Sequence, residues 1–233
     1  MRTKRVAVSK AKATKTADLD AGSTLAAQRR AVILDALGDK LIVLVGLMAS
    51  GKTSLGRLLA QELGIPFVDA DHEIEIAAQL SVSEIFSKHG EGHFRTGERK
   101  VIARLLSEGP RVLATGGGAY MNEETRQMIA QRGVSIWLSA DLDTLMKRVR
   151  RRGNRPLLLT PDPEATMREL IEVRYPVYAL ADIRVPSREG PHEVTMDDLM
   201  EALCLHYNPQ YNPQSPAPEN RSAAGNLQQE QSA

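Results

Sequence analysis

The chain has 233 residues, of which 42% are hydrophobic and 25% charged, close to the average of a globular protein. Thirty Lys and Arg against 29 Asp and Glu give a formal net charge of +1, which argues against a globally basic nucleic-acid binder and an acidic tail protein. The longest apolar run, Leu41–Val45, is too short to span a membrane, and the single cysteine, Cys204, excludes an internal disulfide and fits a reducing compartment. We therefore expect a cytoplasmic protein with an aliphatic core.

The composition changes at both ends of the chain. Residues 1–16 hold basic but no acidic residues and little to bury, so we predict a disordered basic extension over residues 1–23. A transit peptide, which has a similar composition, is the alternative interpretation. Residues 24–39 are predicted to contain a short helix ending before Gly38. Residues 206–233 are rich in Pro, Gln and Asn, which predicts a disordered tail.

Between these ends, residues 40–205 alternate short aliphatic runs with amphipathic segments. The expected buried strands are Leu41–Val45, Phe67–Val68, Val112–Ala114, Val134–Leu138 and Ile183–Val185. The expected helices lie near residues 53–63, 72–79, 82–89, 94–107, 122–132, 141–152, 164–179 and 195–205. This alternation predicts a three-layer α/β domain, in which a parallel sheet is covered by helices on both faces.

The segment from Gly46 to Thr53 matches the phosphate-loop pattern G-x-x-x-x-G-K-[ST], with a strand predicted directly before it and a helix directly after it. Inward-facing backbone amides and the positive end of the following helix bind phosphate in such a loop. Lys52 is expected to reach the outer phosphates, and the Thr53 hydroxyl to take one Mg²⁺ position. The expected nucleotide-binding residues of the loop are Gly46, Ala49, Ser50, Gly51, Lys52, Thr53 and Ser54.

The loop defines a nucleotide site but not a reaction. The sequence lacks the guanine-reading N-K-x-D motif, and Thr115 stands where many ATPases carry a carboxylate after the third strand. An acidic pair instead follows the second predicted strand, at Asp69 and Asp71, although Asp71 is also a good N-cap for the next helix. Gly116–Gly118 permits close backbone approach to a ligand, with a flexible turn as the alternative. We expect these groups to surround the γ-phosphate because parallel strands end at one crevice.

Three arginines suit a substrate that carries a carboxylate, because the planar guanidinium binds that group through two hydrogen bonds. Arg95 lies in H-F-R-T-G-E, Arg155 in N-R-P-L-L and Arg174 in R-Y-P-V-Y. Glu98, three residues after Arg95, is placed to hold its guanidinium. Arg155 lies in an irregular segment, residues 150–163, which we predict to be a mobile lid over the phosphates. The rival interpretation is a nucleic-acid patch, but its cluster lacks interleaved aromatic residues; the cluster consists of Arg148, Arg150, Arg151 and Arg152.

Taken in order, the motifs GLMASGKTS, DADxEIE, FRxxE, ATGGG, RPLL and RYPVY resemble those of the shikimate kinase family over residues 41–205. The resemblance implies the nucleoside-monophosphate-kinase-like P-loop fold, with a five-stranded parallel sheet in the order 2-3-1-4-5. It also implies transfer of the γ-phosphoryl group of ATP to the 3-hydroxyl of shikimate, giving shikimate 3-phosphate and ADP, in the pathway to chorismate and aromatic amino acids. The implied cofactors are ATP and Mg²⁺.

The same resemblance implies roles for residues on the acceptor side. Asp71 binds the ring hydroxyls and is the candidate base or orienting group, while Arg95 and Arg174 hold the carboxylate. Gly117 gives a backbone N–H to the substrate. The implied substrate-binding residues are Asp71, Arg95, Gly116, Gly117, Gly118 and Arg174.

On the nucleotide side, the resemblance makes Arg155 the lid arginine that contacts the phosphates. It implies that Thr53 coordinates Mg²⁺ directly and Asp69 through water, and that Arg188 lies near adenine. The implied catalytic residues are Lys52, Asp71 and Arg155.

One position departs from the family pattern, because Ala49 stands where the family usually has glycine. The general loop pattern allows any residue there, so we expect a negative φ at Ala49. A positive φ would cost about 1–2 kcal/mol.

The alternative functions are a gluconate or nucleoside-monophosphate kinase of the same fold, or a nucleotide-binding protein without catalysis. The GGG and RPLL motifs favour shikimate as the acceptor. We expect a monomer with no nucleic-acid or membrane partner.

Overall fold

The computed structural model describes residues 24–152, 158 and 160–212. The chain divides into one unit of Arg29–Pro209 and another of Met1–Gln28 with Gln210–Ala233. Of the second unit, only residues 24–28, which begin the first helix, and residues 210–212 are described. The predicted basic extension, and the predicted tail from residue 213 onward, lie outside the described residues.

The larger unit contains one parallel sheet of five strands in the order β2-β3-β1-β4-β5, so the expected fold class and strand order are confirmed. The strands are β1 (Leu41–Val45), β2 (Phe67–Asp69), β3 (Val112–Ala114), β4 (Gly133–Ser139) and β5 (Ile183–Pro186). In the central strand, Val43 pairs with Leu113 of β3 and with Ser135 of β4. All residues of β1 and β3 are buried, which is typical of parallel strands covered on both faces.

Helices cover both faces of this sheet. They are α1 (residues 24–37), α2 (Lys52–Leu63), α3 (Ala70–Ala78), α4 (Val82–Leu105), α5 (Glu123–Arg132), α6 (Leu142–Arg152), α7 (Pro163–Tyr178) and α8 (His192–Tyr207). Val43 and its neighbours on one face of β1 belong to a buried cluster with Ile102 of α4 and Tyr178 of α7. Leu44, on the other face, lies against α2, where a Cβ added at Gly56 would be 3.0 Å from Leu44 Cδ1. Each fully buried aliphatic side chain contributes about 1.5–3 kcal/mol to this packing.

The largest differences from the predicted helix boundaries are in α4 and α8. The expected helices at 82–89 and 94–107 form the single α4, which has a kink at Gly90, where φ is 79° and ψ is 169°. Glycine alone tolerates that conformation without strain. A single residue therefore accommodates the kink, and the helix continues directly after it. Helix α8 begins directly after Pro191 and continues to Tyr207, two residues past the predicted end of the domain.

Helix α1 packs on the larger unit from Arg29 onward. Ile33 and Leu37 are buried, and the Arg29 guanidinium forms an ion pair with Asp197 of α8. The Arg29 carbonyl also accepts a weak hydrogen bond from the Cys204 thiol, at 3.7 Å. The C-terminal part of α1 therefore belongs to the same core as α8. Among the described helices, none is both long and apolar enough to cross a membrane.

Candidate active site

The phosphate loop connects β1 to α2 and depends on glycine at both ends. Gly46 has a φ of 139° and Gly51 a φ of 101°, both in the region that side chains rarely adopt. A Cβ at Gly46 would lie 2.8 Å from the carbonyl oxygen of Leu138 in β4, closer than two such atoms can approach. The two glycines thus let the loop turn sharply while it packs against the sheet.

Ala49 has a φ of 62°, so the prediction of a negative φ at this position was wrong. The Ser50 N–H donates to the Leu47 carbonyl at 3.2 Å, which closes a turn with Ala49 at its third position. A type II turn needs a positive φ at that position, whatever residue occupies it. Alanine therefore stands in a conformation that glycine would adopt without strain, and the phosphate-loop pattern does not encode this requirement.

We predict that Ala49→Gly stabilises the protein by about 0.5–1 kcal/mol, because relief of the left-handed strain exceeds the added entropy of the unfolded chain. Urea unfolding measures the change. Ala103→Gly is the matched control, since Ala103 is exposed within α4 and the same substitution should destabilise that helix by about 0.5–1 kcal/mol. A destabilisation by both variants would contradict the prediction.

The first turn of α2 places two polar groups at the mouth of the loop. The Lys52 ammonium donates to the carbonyl oxygens of Gly46 and Leu47, at 2.9 and 2.8 Å. The Thr53 hydroxyl donates to the Asp69 carboxylate at 2.8 Å, and Ser54 follows in the same turn. These contacts place one cation and one hydroxyl where a loop of this type meets phosphate.

The Ser50 hydroxyl is a buried group of the loop that lacks a hydrogen-bond partner among the described residues. A buried hydroxyl without a partner costs free energy, which a phosphate oxygen accepting its hydrogen would recover. Together with the Lys52 ammonium, this donor fits the phosphates of a nucleoside triphosphate.

Asp69 and Asp71 have different positions at the end of β2. Asp69 caps α3, because its Oδ1 accepts from the Asp71 N–H at 3.1 Å while its Oδ2 accepts from Thr53 at 2.8 Å. The alternative interpretation of Asp71 as the N-cap is therefore wrong, and Asp71 lies in the first turn of α3. A Cβ at Gly116 would lie 2.7 Å both from Asp71 Oδ1 and from Glu98 Oε1, so these two carboxylates border the glycine segment.

Arg95 is held by two glutamates of its own helix. Its Nη1 donates to Glu98 at 2.7 Å, and its Nε and Nη2 donate to Glu91 at 3.2 and 3.0 Å. Glu98 is only 2% exposed, whereas the Arg95 side chain is 25% exposed. A partly exposed guanidinium, oriented from behind by a buried carboxylate, is suited to bind an anion in front of it.

Burial raises the pKa of Glu98 above its ordinary value of 4.5; the Arg95 charge opposes this shift and the Asp71 charge adds to it. A raised pKa in the folded state means that the folded protein binds this proton more tightly than the unfolded chain does. The stability that Glu98 contributes is therefore fully present below its unfolded pKa and is lost as the pH rises through its folded pKa.

We predict that raising the pH from about 4 to about 7 lowers the stability of the wild type relative to Glu98→Gln, which lacks this titration. Urea unfolding of both proteins across this range measures the difference. Glu164→Gln is the control, because it removes an exposed carboxylate that is paired with Arg168. The difference in stability between wild type and Glu164→Gln should not show a comparable change with pH. A difference between wild type and Glu98→Gln that does not change with pH would refute the prediction.

The glycine segment lies against the two arginines. Arg174 Nη1 donates to the Gly117 carbonyl at 2.9 Å, and the Tyr178 hydroxyl donates to the same oxygen. A Cβ at Gly118 would lie 2.6 Å from Arg95 Cζ, so this guanidinium packs directly on the backbone. The structure thus brings Arg95 and Arg174 to the same segment of three residues that carry no side chains.

Three comparisons with known proteins agree. The family model for shikimate kinase matches residues 48–204. A curated shikimate kinase of Bradyrhizobium diazoefficiens is 54% identical over 198 residues, which are 85% of this chain and 96% of that relative. A curated shikimate kinase of Brucella canis is 55% identical over 170 residues, which are 73% of this chain and 85% of that relative. The chain belongs to the shikimate kinase family.

A solved shikimate kinase from Acinetobacter baumannii, in complex with shikimate, is similar in structure, with a TM-score of 0.65 and 38% identity over 71% of this chain and 91% of that chain. A second solved shikimate kinase, from Bacteroides thetaiotaomicron, has a TM-score of 0.66 and 30% identity over 70% of this chain and 98% of that chain. Membership in the shikimate kinase family confirms the resemblance that the motifs indicated, and with it the expectation of an ATP-dependent kinase.

The shikimate kinase motifs imply two further nucleotide contacts, from Arg188 near adenine and from Arg155 at the phosphates. The Arg188 side chain is exposed and pairs with Asp198 of α8 at 2.7 Å, although its backbone lies beside the loop. Arg155 lies outside the described residues, as do residues 153–157 and 159 of the lid predicted over residues 150–163. Both contacts stay predictions.

Arg148 of α6, which was considered only as part of the rival nucleic-acid patch, contacts the phosphate loop. Its Nη1 donates to the carbonyls of Ala49 and Ser50, both at 3.3 Å, and to the Ser187 hydroxyl at 2.9 Å. Its Nη2 donates to the Arg188 carbonyl at 2.6 Å. Arg148 therefore connects the loop to the segment after β5, and no local motif distinguishes it from its neighbours in the arginine cluster.

Proposed function

We propose that this chain transfers the γ-phosphoryl group of ATP to the 3-hydroxyl of shikimate, giving shikimate 3-phosphate and ADP in the pathway to chorismate and aromatic amino acids. The supporting observation is that a phosphate loop, the Asp71 carboxylate and two guanidinium groups meet around one glycine segment. Phosphate, alcohol and carboxylate are the three groups that this reaction brings together. Family membership supports the same assignment.

The Arg95 and Arg174 guanidinium groups bind the acceptor carboxylate in this proposal. Glu98 and Glu91 fix Arg95, and the Gly117 carbonyl fixes Arg174, so both cations are oriented before the acceptor arrives. Binding a preoriented pair avoids part of the entropy cost of ordering long side chains. The acceptor ring then lies over the glycine segment, with its hydroxyls toward Asp71.

Asp71 orients the attacking hydroxyl and accepts its proton. The hydroxyl oxygen forms a bond to the γ-phosphorus while the bond from that phosphorus to the oxygen of ADP breaks. Lys52 neutralises charge on the transferring group, and the loop amides and the Ser50 hydroxyl hold the remaining phosphate oxygens. Most of the rate acceleration in such a transfer comes from positioning and electrostatic stabilisation.

The donor set at the mouth of the loop fits Mg²⁺. The Thr53 hydroxyl and the Asp69 carboxylate lie 2.8 Å apart, and both are the hard oxygen ligands that this cation prefers. Thr53 would coordinate the ion directly and Asp69 through water. When bound with ATP, Mg²⁺ would neutralise part of the negative charge of the phosphates.

An ADP-release assay with purified protein tests the assignment. ATP and Mg²⁺ are supplied with shikimate, gluconate or AMP in parallel reactions. We expect rapid, acceptor-dependent ADP release with shikimate alone. Release driven by gluconate or AMP would assign the protein to another kinase of this fold, and no release with any acceptor would indicate a binding protein without catalysis.

We further propose that the protein acts in the cytoplasm as a monomer, without nucleic-acid or membrane partners. The single cysteine and the balanced charge support this assignment. Light scattering of the purified full chain measures its mass, for which the monomer value is 25.5 kDa.

A further inference from the structure

The last turn of α7 carries a tyrosine whose hydroxyl reaches the glycine segment. Tyr178 is fully buried, and its hydroxyl donates to the Gly117 carbonyl, which also accepts from Arg174 at 2.9 Å. Because Arg174 and Tyr178 are four residues apart, one helical turn presents both donors on the same face. A carbonyl oxygen has two lone pairs, so α7 satisfies the full hydrogen-bonding capacity of this oxygen.

Holding that oxygen also sets the direction of a neighbouring amide. The Gly117 carbonyl and the Gly118 N–H belong to one planar peptide group and point in opposite directions. With the oxygen directed toward α7, the Gly118 N–H is directed away from it. Among the described residues, no acceptor is bonded to the amides of Gly117 or Gly118, whereas the next amide, of Ala119, donates to the Gly116 carbonyl at 3.2 Å.

We propose that Tyr178 is a positioning residue for acceptor recognition. Its hydroxyl, together with the Arg174 guanidinium, orients the Gly117–Gly118 peptide so that the N–H is presented to an oxygen of the anionic acceptor bound at Arg95. Tyr178 itself does not touch the acceptor, because it is fully buried. This inference rests on the proposed function, since it concerns the same acceptor site.

The surroundings of Tyr178 suit a donor that must stay in place. Burial raises the pKa of Tyr178 to about 12, so the hydroxyl keeps its proton at every working pH. The ring lies 6.2 Å from that of Trp137 and 6.5 Å from that of Tyr120, measured between centroids. This packing holds the ring without help from the hydroxyl, so phenylalanine can replace tyrosine with little loss of contact.

We predict that Tyr178→Phe raises the KM for shikimate about tenfold, the loss expected when a buried carbonyl loses one of two donors. The KM for ATP should be unchanged and kcat should stay within about twofold, because in this proposal the Gly118 N–H is presented to the acceptor and not to the nucleotide. Titration calorimetry with shikimate in the absence of ATP should show the same tenfold loss of affinity.

Tyr175→Phe is the matched control. Tyr175 lies on the same helix and donates its hydroxyl to the Ala140 carbonyl, away from the glycine segment. Its KM for shikimate should stay within about twofold of wild type. A wild-type KM for shikimate in Tyr178→Phe, or equal rises in the KM values for shikimate and ATP, would overturn the proposal.

Amide NMR of the wild type, labelled with ¹⁵N-glycine, keeps the proposal testable if Tyr178→Phe does not fold. The Gly118 resonance should shift on addition of shikimate, and an unchanged resonance contradicts the inference. The two proposals fail differently: a wild type that releases no ADP with shikimate contradicts the proposed function. An active wild type with unaffected Tyr178→Phe contradicts the positioning role alone.

Discussion

Replacing Lys52 with alanine is expected to lower kcat about a thousandfold or more while the protein stays folded. The Lys52 ammonium lies inside the phosphate loop, where it donates hydrogen bonds to the backbone carbonyls of Gly46 and Leu47. When ATP fills the loop, this charge moves to the outer phosphates and offsets the negative charge that develops during transfer. Removal of one preorganised donor of this kind costs about 10²–10³ in rate, and loss of a full charge costs more.

Steady-state kinetics with shikimate and ATP measure this loss. Lys100→Ala is the control, because Lys100 is an exposed lysine of α4 and its removal should leave kcat within about twofold. Circular dichroism establishes that both variants have wild-type secondary structure. Wild-type turnover in folded Lys52→Ala would remove the central cation from the proposed mechanism.

The elements of the fold could be predicted from the sequence, but the strand order could not be derived from pattern alone. Aliphatic runs that alternate with amphipathic segments indicate parallel strands and covering helices, and the observed strands match the predicted ones to within one residue at each end. Which strands are neighbours depends on crossovers that leave no local signal. The order 2-3-1-4-5 was predicted because the motifs resemble a family of known topology.

The parts of the site that lie within one motif were predicted most completely. Lys52 and Thr53 are in the first turn of α2, directly after the loop, because the motif contains the strand end, the turn and the helix start. Arg95 and Glu98 were expected to pair because residues three apart share a helix face, and they do, at 2.7 Å.

Contacts between distant segments could not be predicted. Tyr178 is 61 positions from the carbonyl that it contacts, and Arg148 is 99 positions from Ala49. Such contacts depend on how helices pack across the sheet, which a single sequence does not reveal. The φ of Ala49 was missed for a different, local reason, because the closure of the turn from Leu47 to Ser50, rather than the type of residue, determines it.

Arg95→Ala is expected to raise the KM for shikimate about a hundredfold while the KM for ATP and kcat change by no more than a few fold. The Arg95 guanidinium packs on the backbone of Gly118 and is held by Glu98, and we propose that it binds the acceptor carboxylate. Truncating one partner of a hydrogen-bonded charge pair costs about 2–5 kcal/mol of binding free energy. Arg95→Lys should lose most of this affinity as well, because an ammonium cannot form the two parallel hydrogen bonds.

Arg104→Ala is the matched control for this prediction. Arg104 lies on the same helix and pairs with Glu73 at 2.7 Å, but its side chain is 53% exposed. Because an exposed pair contributes about 0–1 kcal/mol, its loss should leave both KM values unchanged. Arg95→Ala also leaves the buried Glu98 without its cation, so urea unfolding is measured in parallel to separate lost stability from lost binding. A folded Arg95→Ala with the wild-type KM for shikimate would show that the acceptor carboxylate binds elsewhere.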